Sequence, residues 1–162
     1  TKEDYVEAGG TVEEYGSVGN TSKGPITALK QLESDTSTWN KSINPRLIEA
    51  SEIATITGNN GWTVGDDSYY FHTNSNTEYT GAAGTNKYAW LFDNTRECTT
   101  YGCNVAVTDY SNYGYWTNTA FSRNSSNAWY VYYRGYLRDD NVNNAGRYGV
   151  RPVITVSRSI IS

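Results

Sequence analysis

The segment Tyr113–Ser157, YGYWTNTAFSRNSSNAWYVYYRGYLRDDNVNNAGRYGVRPVITVS, holds the strongest strand signals of the chain and its most unusual composition. In an extended chain successive side chains alternate between faces, so AWYVYY places Ala128, Tyr130 and Tyr132 on one side and Trp129, Val131 and Tyr133 on the other. This predicts a strand with a core face, completed by Leu137 and Val142, and an outward row of tyrosines. Arg134-Gly135 stands where a two-residue hairpin loop belongs, with Gly135 able to take the positive φ such turns require, and YLRDDNV returns as the partner strand. The closing run YGVRPVITV is apolar and β-branched, and Pro152, which lacks an N–H, puts that strand at an edge or a bulge.

Working outward, KYAWLF at Lys87 to Phe92 is a second buried segment. The core is predicted to hold Trp90, Trp116, Trp129, Val131, Val150 and Ile154, because they sit on the apolar faces of the strongest strand candidates and large aromatic burial dominates such cores. Residues 1–24 are acidic and Gly-rich without clear period and read as an extended arm or linker; residues 25–162 read as the domain. PITALKQLES predicts a short helix with Pro25 at its start and Ile26, Leu29 and Leu32 as its apolar stripe. In PRLIEASEIATITG, Leu47 and Ile48 suggest a short strand, followed by a helix with Ser51 as N-cap and Gly58 as the stop. Between Asn59 and Asn86, turn clusters alternate with aromatic pieces around Trp62 and Tyr69 to Phe71, a pattern of short strands and long loops. The fold class is α+β: short helices packed on small antiparallel sheets with long loops.

Composition excludes several functions. A net charge of -4 with no basic run leaves nucleic acid without an electrostatic footprint. No apolar run reaches the length of a membrane span, so no membrane contact is expected from this stretch. With 15 Tyr, 15 Gly and no Met, the composition suits a secreted or surface β-rich domain. Cys98 and Cys103, with four residues between them, suggest a local disulfide, worth about 2 kcal/mol in so small a loop; two reduced thiols in a cytosolic loop are the alternative. His72, the one histidine, reads as a surface or strand residue, and zinc lacks ligands. Asp66-Asp67 reads as a solvated turn rather than a calcium loop. No cofactor motif is present.

Lys, Glu and Gln are absent after Cys98, and Ser122 to Arg147 is built mainly from Asn, Ser, Tyr, Asp, Arg and Gly. That is the alphabet of adaptable binding loops, in which Tyr supplies area at low entropy cost and the small polar residues supply hydrogen bonds. The expected contact residues are Tyr130, Tyr132, Tyr136, Arg138, Asp139, Asn141, Asn143, Asn144 and Arg147, with Ser122, Asn124 and Asn127 from the preceding loop.

YWTNT, AWYVYYRGYL and YGVRPVITV, together with PRLIEASEIATITG and KYAWLFDNTRECTTYGC, resemble bacterial surface and pilin-like proteins that carry a C-type lectin-like domain, over about Trp39 to Ile161. That fold is shared with formylglycine-generating enzymes and with the variable proteins of diversity-generating retroelements. The resemblance implies a C-type lectin-like fold with a variable hairpin and loops at 117–148, where adenine-directed codon changes produce neither Lys, Glu nor Gln. It implies a non-enzymatic module that binds a protein or glycan on another surface, located outside the cell, at the cell surface, or on a pilus or phage particle. The sugar-coordinating Glu-Pro-Asn, Gln-Pro-Asp and Trp-Asn-Asp triplets of calcium-dependent lectins do not occur. A structural stalk or pilin-like domain is one alternative. A formylglycine-generating-enzyme-like oxidoreductase using Cys98 and Cys103 is the other, although in that family the pair follows the tryptophan motif and here it precedes YWTNT.

Overall fold

The computed structural model describes residues 2–7, 11, 25–40, 43–71, 87–92, 114–124, 126–132, 135–142 and 148–156. Its centre is the stretch quoted above. Strands β3 (Gly114–Ala120), β4 (Asn127–Tyr132) and β5 (Tyr136–Asn141) form an antiparallel meander, and β2 (Tyr69–Tyr70) joins the outer side of β5, giving the order β2-β5-β4-β3. A second sheet pairs β1 (Arg46–Leu47) with β6 (Pro152–Val153), which sets Pro152 in a two-stranded ribbon where its missing donor costs nothing. The fold is mixed α+β, with short helices and small antiparallel sheets.

Tyr132 pairs with Tyr136, so the hairpin loop has three residues, 133–135, rather than the two expected. Gly135 closes it at φ 73°, with its N–H bonded to the Tyr132 carbonyl at 2.9 Å. A left-handed residue at the last loop position suits a three-residue connection.

The register of β4 agrees with the sequence on its Trp129 side. Trp129, Val131 and Leu137 are fully buried and pack with Tyr115 and Phe121 against α3 (Ala50–Thr57), α4 (Ala89–Phe92), Trp62 and Phe71. Trp129 meets Trp62 edge-on at 4.7 Å and Phe121 at 5.2 Å, and its indole N–H reaches the Val64 carbonyl at 3.3 Å.

The other side departs from expectation. Tyr130 is 1% and Tyr136 7% exposed. Helix α2 (Ile26–Asp35) lays Ala28 and Leu32 over this face, Leu47 joins them, and Tyr148, Val150 and Val142 complete a second core around Trp116, Ala128 and Tyr130. Val142 therefore belongs to this cluster rather than beside Trp129. The sheet is covered on both faces, and the tyrosine row is largely interior.

Two predicted core residues lie outside. KYAWLF forms a helical turn rather than a strand; at about 100° per residue Leu91 and Phe92 turn inward while Trp90 turns outward and is 53% exposed. Ile154 follows the end of β6 and is 44% exposed. Val150 is half-buried, and Trp116, Trp129 and Val131 are buried as predicted.

Helix α2 begins after Pro25 and Leu32 is buried, as its stripe requires. Helix α3 ends at Gly58 in the left-handed conformation, but its N-cap is Glu49, not Ser51. Glu49 and Glu52 form a reciprocal capping box, and Arg46 grips Glu52 through two bonds of 2.7 and 2.6 Å. That guanidinium holds the Glu52 carboxyl below its usual range. The 1–24 segment is not wholly extended: Lys2–Glu7 forms helix α1, whose Glu7 pairs with Lys30 of α2 at 2.8 Å. No helix among the described residues is long and apolar enough to cross a membrane.

Candidate binding surface

The YWTNT motif serves the scaffold. Between Trp116 and Ala120 the β3 register slips against β4, a bulge that re-aims three side chains. Thr117, fully buried, donates to the Trp129 carbonyl at 2.8 Å. Asn118 and Thr119 turn to the Glu49 carboxylate at 2.8 and 2.6 Å, while the Thr119 hydroxyl accepts the Ala50 N–H at 2.9 Å. The polar cluster of Arg46, Glu49, Glu52, Asn118 and Thr119 thus ties the start of α3 to the bulge. Sequence reasoning missed it because its halves lie about seventy residues apart.

GVRPV has a comparable role. Arg151 donates to the Leu91 carbonyl at the end of α4 at 3.1 Å and lies over the Tyr115 ring at 5.3 Å. Tyr115 donates to the same carbonyl at 2.7 Å, and burial pushes its phenol up to about 12.

The expected contact residues divide between the two sides of the hairpin. On one side, cross-strand pairing sets Arg138 opposite Tyr130, and Tyr136 between Tyr132 and Tyr70. Rings run continuously from Tyr70 to Tyr136 at 4.4 Å and from Tyr136 to Tyr132 at 4.8 Å. The ladder continues to Tyr130 at 6.0 Å, and Tyr148 stacks on Tyr130 at 4.1 Å. Tyr148 donates to Asp140 at 2.5 Å. Burial raises the phenols of Tyr130 and Tyr148 well above their ordinary value. What this side offers to solvent is Arg138, half-buried Tyr132, and Tyr70, which is 49% exposed and was not among the predicted residues. Arg138 donates to the Tyr136 hydroxyl at 3.2 Å, and that bond holds the guanidinium above its usual pKa. Among the described residues, no carboxylate pairs with it.

On the other side Asn127 donates to Asp139 at 2.7 Å, with Asn141 opposite Asn127 in register. Ser122 is engaged by the scaffold, its hydroxyl and N–H both meeting the Val64 carbonyl. Asn124 accepts the Ser126 N–H at 3.0 Å and shapes the turn. Asp66 accepts the Thr63 N–H and Asp67 pairs with Arg123 at 2.6 Å, a solvated turn as expected. Asn143, Asn144, Arg147, Cys98, Cys103 and His72 lie outside the described residues. Among the described residues no three His, Cys, Asp or Glu side chains gather as metal ligands.

Fold and surface together define a mixed α+β domain whose central hairpin is locked by aromatic cores on both faces and carries a charged, tyrosine-edged rim. Its family is the one described as "Domain of unknown function (DUF6273)", which matches residues 47–158, and the chain belongs to it. No curated protein and no solved structure matches the chain.

Proposed function

We propose that the chain is a non-enzymatic binding module of C-type lectin-like fold, displayed outside the cell on a surface, pilus or phage particle. It recognises a protein or glycan on another surface through the β4–β5 hairpin and its flanking loops. The observation that carries this reading is Arg138: an exposed guanidinium on β5, with no carboxylate partner among the described residues, beside an exposed tyrosine. Arg and Tyr dominate binding hot spots, and the hydrogen bond of Arg138 to the Tyr136 hydroxyl orders the side chain before a ligand arrives, which lowers the ordering cost of binding. Among the described residues the contact set contracts accordingly, from a row of three tyrosines to Arg138, Tyr132 and Tyr70, with Asn127, Asp139 and Asn141 on the far side of the hairpin.

Burial of Tyr130 and Tyr136 favours a second reading, a structural stalk or pilin-like domain, since those rings need no ligand to account for them. A screen of glycans, peptides and cells with the wild type and Arg138→Ala separates the two. The substitution is expected to leave the melting temperature within a few degrees, as at other exposed sites, and to abolish binding. Large destabilisation by the substitution, or no binding to any partner, returns the domain to the structural reading, and retained binding removes Arg138 from the contact set. Sequencing the DNA around the gene tests diversification: a near-copy of the Ser122 to Arg147 segment beside a reverse transcriptase, differing at adenines, is the expected finding.

A further inference from the structure

We infer that the Arg138 side of the hairpin takes a carboxylate-bearing sugar, with the guanidinium holding the carboxylate and the Tyr70 ring carrying the pyranose. This rests on the reading of the hairpin as a binding surface and adds the class of ligand. Tyr136 organises the site from beneath. Its ring lies against Tyr70 at 4.4 Å, its hydroxyl accepts from Arg138 at 3.2 Å, and at 7% exposure it is itself nearly covered. Ring and charge are thereby set side by side on paired strands, Tyr70 opposite Tyr136 and Arg138 two residues further along β5. The guanidinium has five donors in a planar fork, matched to the two oxygens of a carboxylate. With one hydrogen bond committed to the Tyr136 hydroxyl and no ion pair among the described residues, its remaining donors suit an external anion. An exposed ring edged by phenolic hydroxyls suits a ligand with an apolar face and a polar rim, as a pyranose has.

Charge decides against an acidic peptide laid along β5. Beyond Arg138 such a chain would run over Asp140, the next residue of β5 on the same face, and like charges brought into register repel. A single ring over Tyr70 and Tyr136 keeps its carboxylate on the tyrosine side of Arg138, with the guanidinium between it and Asp140, whose carboxylate accepts the Tyr148 hydroxyl.

The test is calorimetric titration of the purified protein with glucuronate and N-acetylneuraminate. Glucose serves as the neutral control and a tri-aspartate peptide as the acidic non-sugar. Both acidic sugars are expected to bind saturably at millimolar concentration, and glucose and the peptide are not. Arg138→Ala should weaken acidic-sugar binding about tenfold or more, the usual loss for a hydrogen-bonded charge. Arg138→Lys, which keeps charge without the fork, should fall between, and Tyr70→Ala should weaken it without changing the melting temperature. Binding of glucose as tight as glucuronate, or no acidic-sugar binding, overturns the inference. Peptide binding through Arg138 in its place overturns it while leaving the binding-surface reading intact. Acidic-sugar binding that neither Arg138→Ala nor Tyr70→Ala affects overturns both.

Discussion

Replacing Tyr130 with Ala distinguishes a tyrosine displayed for a ligand from one that holds the domain together. At an exposed position such a change alters stability by about 0.5 kcal/mol or less. Tyr130 is 1% exposed, is stacked by Tyr148 at 4.1 Å, meets Trp116 edge-on at 5.9 Å and touches Tyr132 at 6.0 Å. Removing a buried aromatic ring costs about 3–5 kcal/mol, from lost transfer energy and the cavity left behind. For a chain of this size each kcal/mol shifts the midpoint by about 2–4 °C, so Tyr130→Ala should lower the melting temperature by roughly 6–20 °C. Tyr130→Phe keeps the ring and loses only the hydroxyl, at a cost of about 1 kcal/mol. Urea denaturation of the wild type and both variants, with equal slopes confirming comparable unfolded states, measures these differences. A Tyr130→Ala variant within about 0.5 kcal/mol of wild type would refute the second core and restore the outward tyrosine row.

Two further outcomes follow from the same packing. The Tyr115 phenol is raised by burial from its ordinary value of 10 to about 12. Its folded pKa exceeds its unfolded one, so its contribution is fully present below about pH 10 and lost as pH rises towards 12; at about 1.4 kcal/mol per unit this is about 3 kcal/mol. Tyr115→Phe should flatten that part of the alkaline decline in denaturant titrations. At neutral pH it should cost about 1 kcal/mol, because Arg151 still donates to the Leu91 carbonyl; wild-type and variant curves that stay parallel from pH 9 to 12 would contradict it. Gly114→Ala would place a methyl 2.3 Å from the Val131 carbonyl oxygen, which as backbone has little freedom to move. The β3–β4 pairing must then shift, with an expected loss of about 1–3 kcal/mol in the same assay; an unchanged midpoint would show that the strands can separate locally without cost.

What the sequence by itself determined is what local periodicity carries. Alternation in AWYVYY placed Trp129 and Val131 on one face, the glycine at 135 marked the hairpin, Gly58 the end of a helix, and Leu47 a short strand. Trp90 was misplaced because a four-residue apolar run has no readable period, so strand and helical turn are indistinguishable until packing chooses. Alternation separates two faces of a strand but does not tell whether the second is wet. A tyrosine row satisfies either, since its rings suit a core and its hydroxyls suit water. Only the tertiary structure decided that. Helix α2, a hundred residues upstream, closes over Tyr130 and Trp116, and Tyr148 stacks on Tyr130 from the other end of the domain. The capping of α3 by residues of the β3 bulge and the placing of Tyr70 beside Tyr136 were likewise unreadable, because partners distant in sequence leave no mark on local pattern.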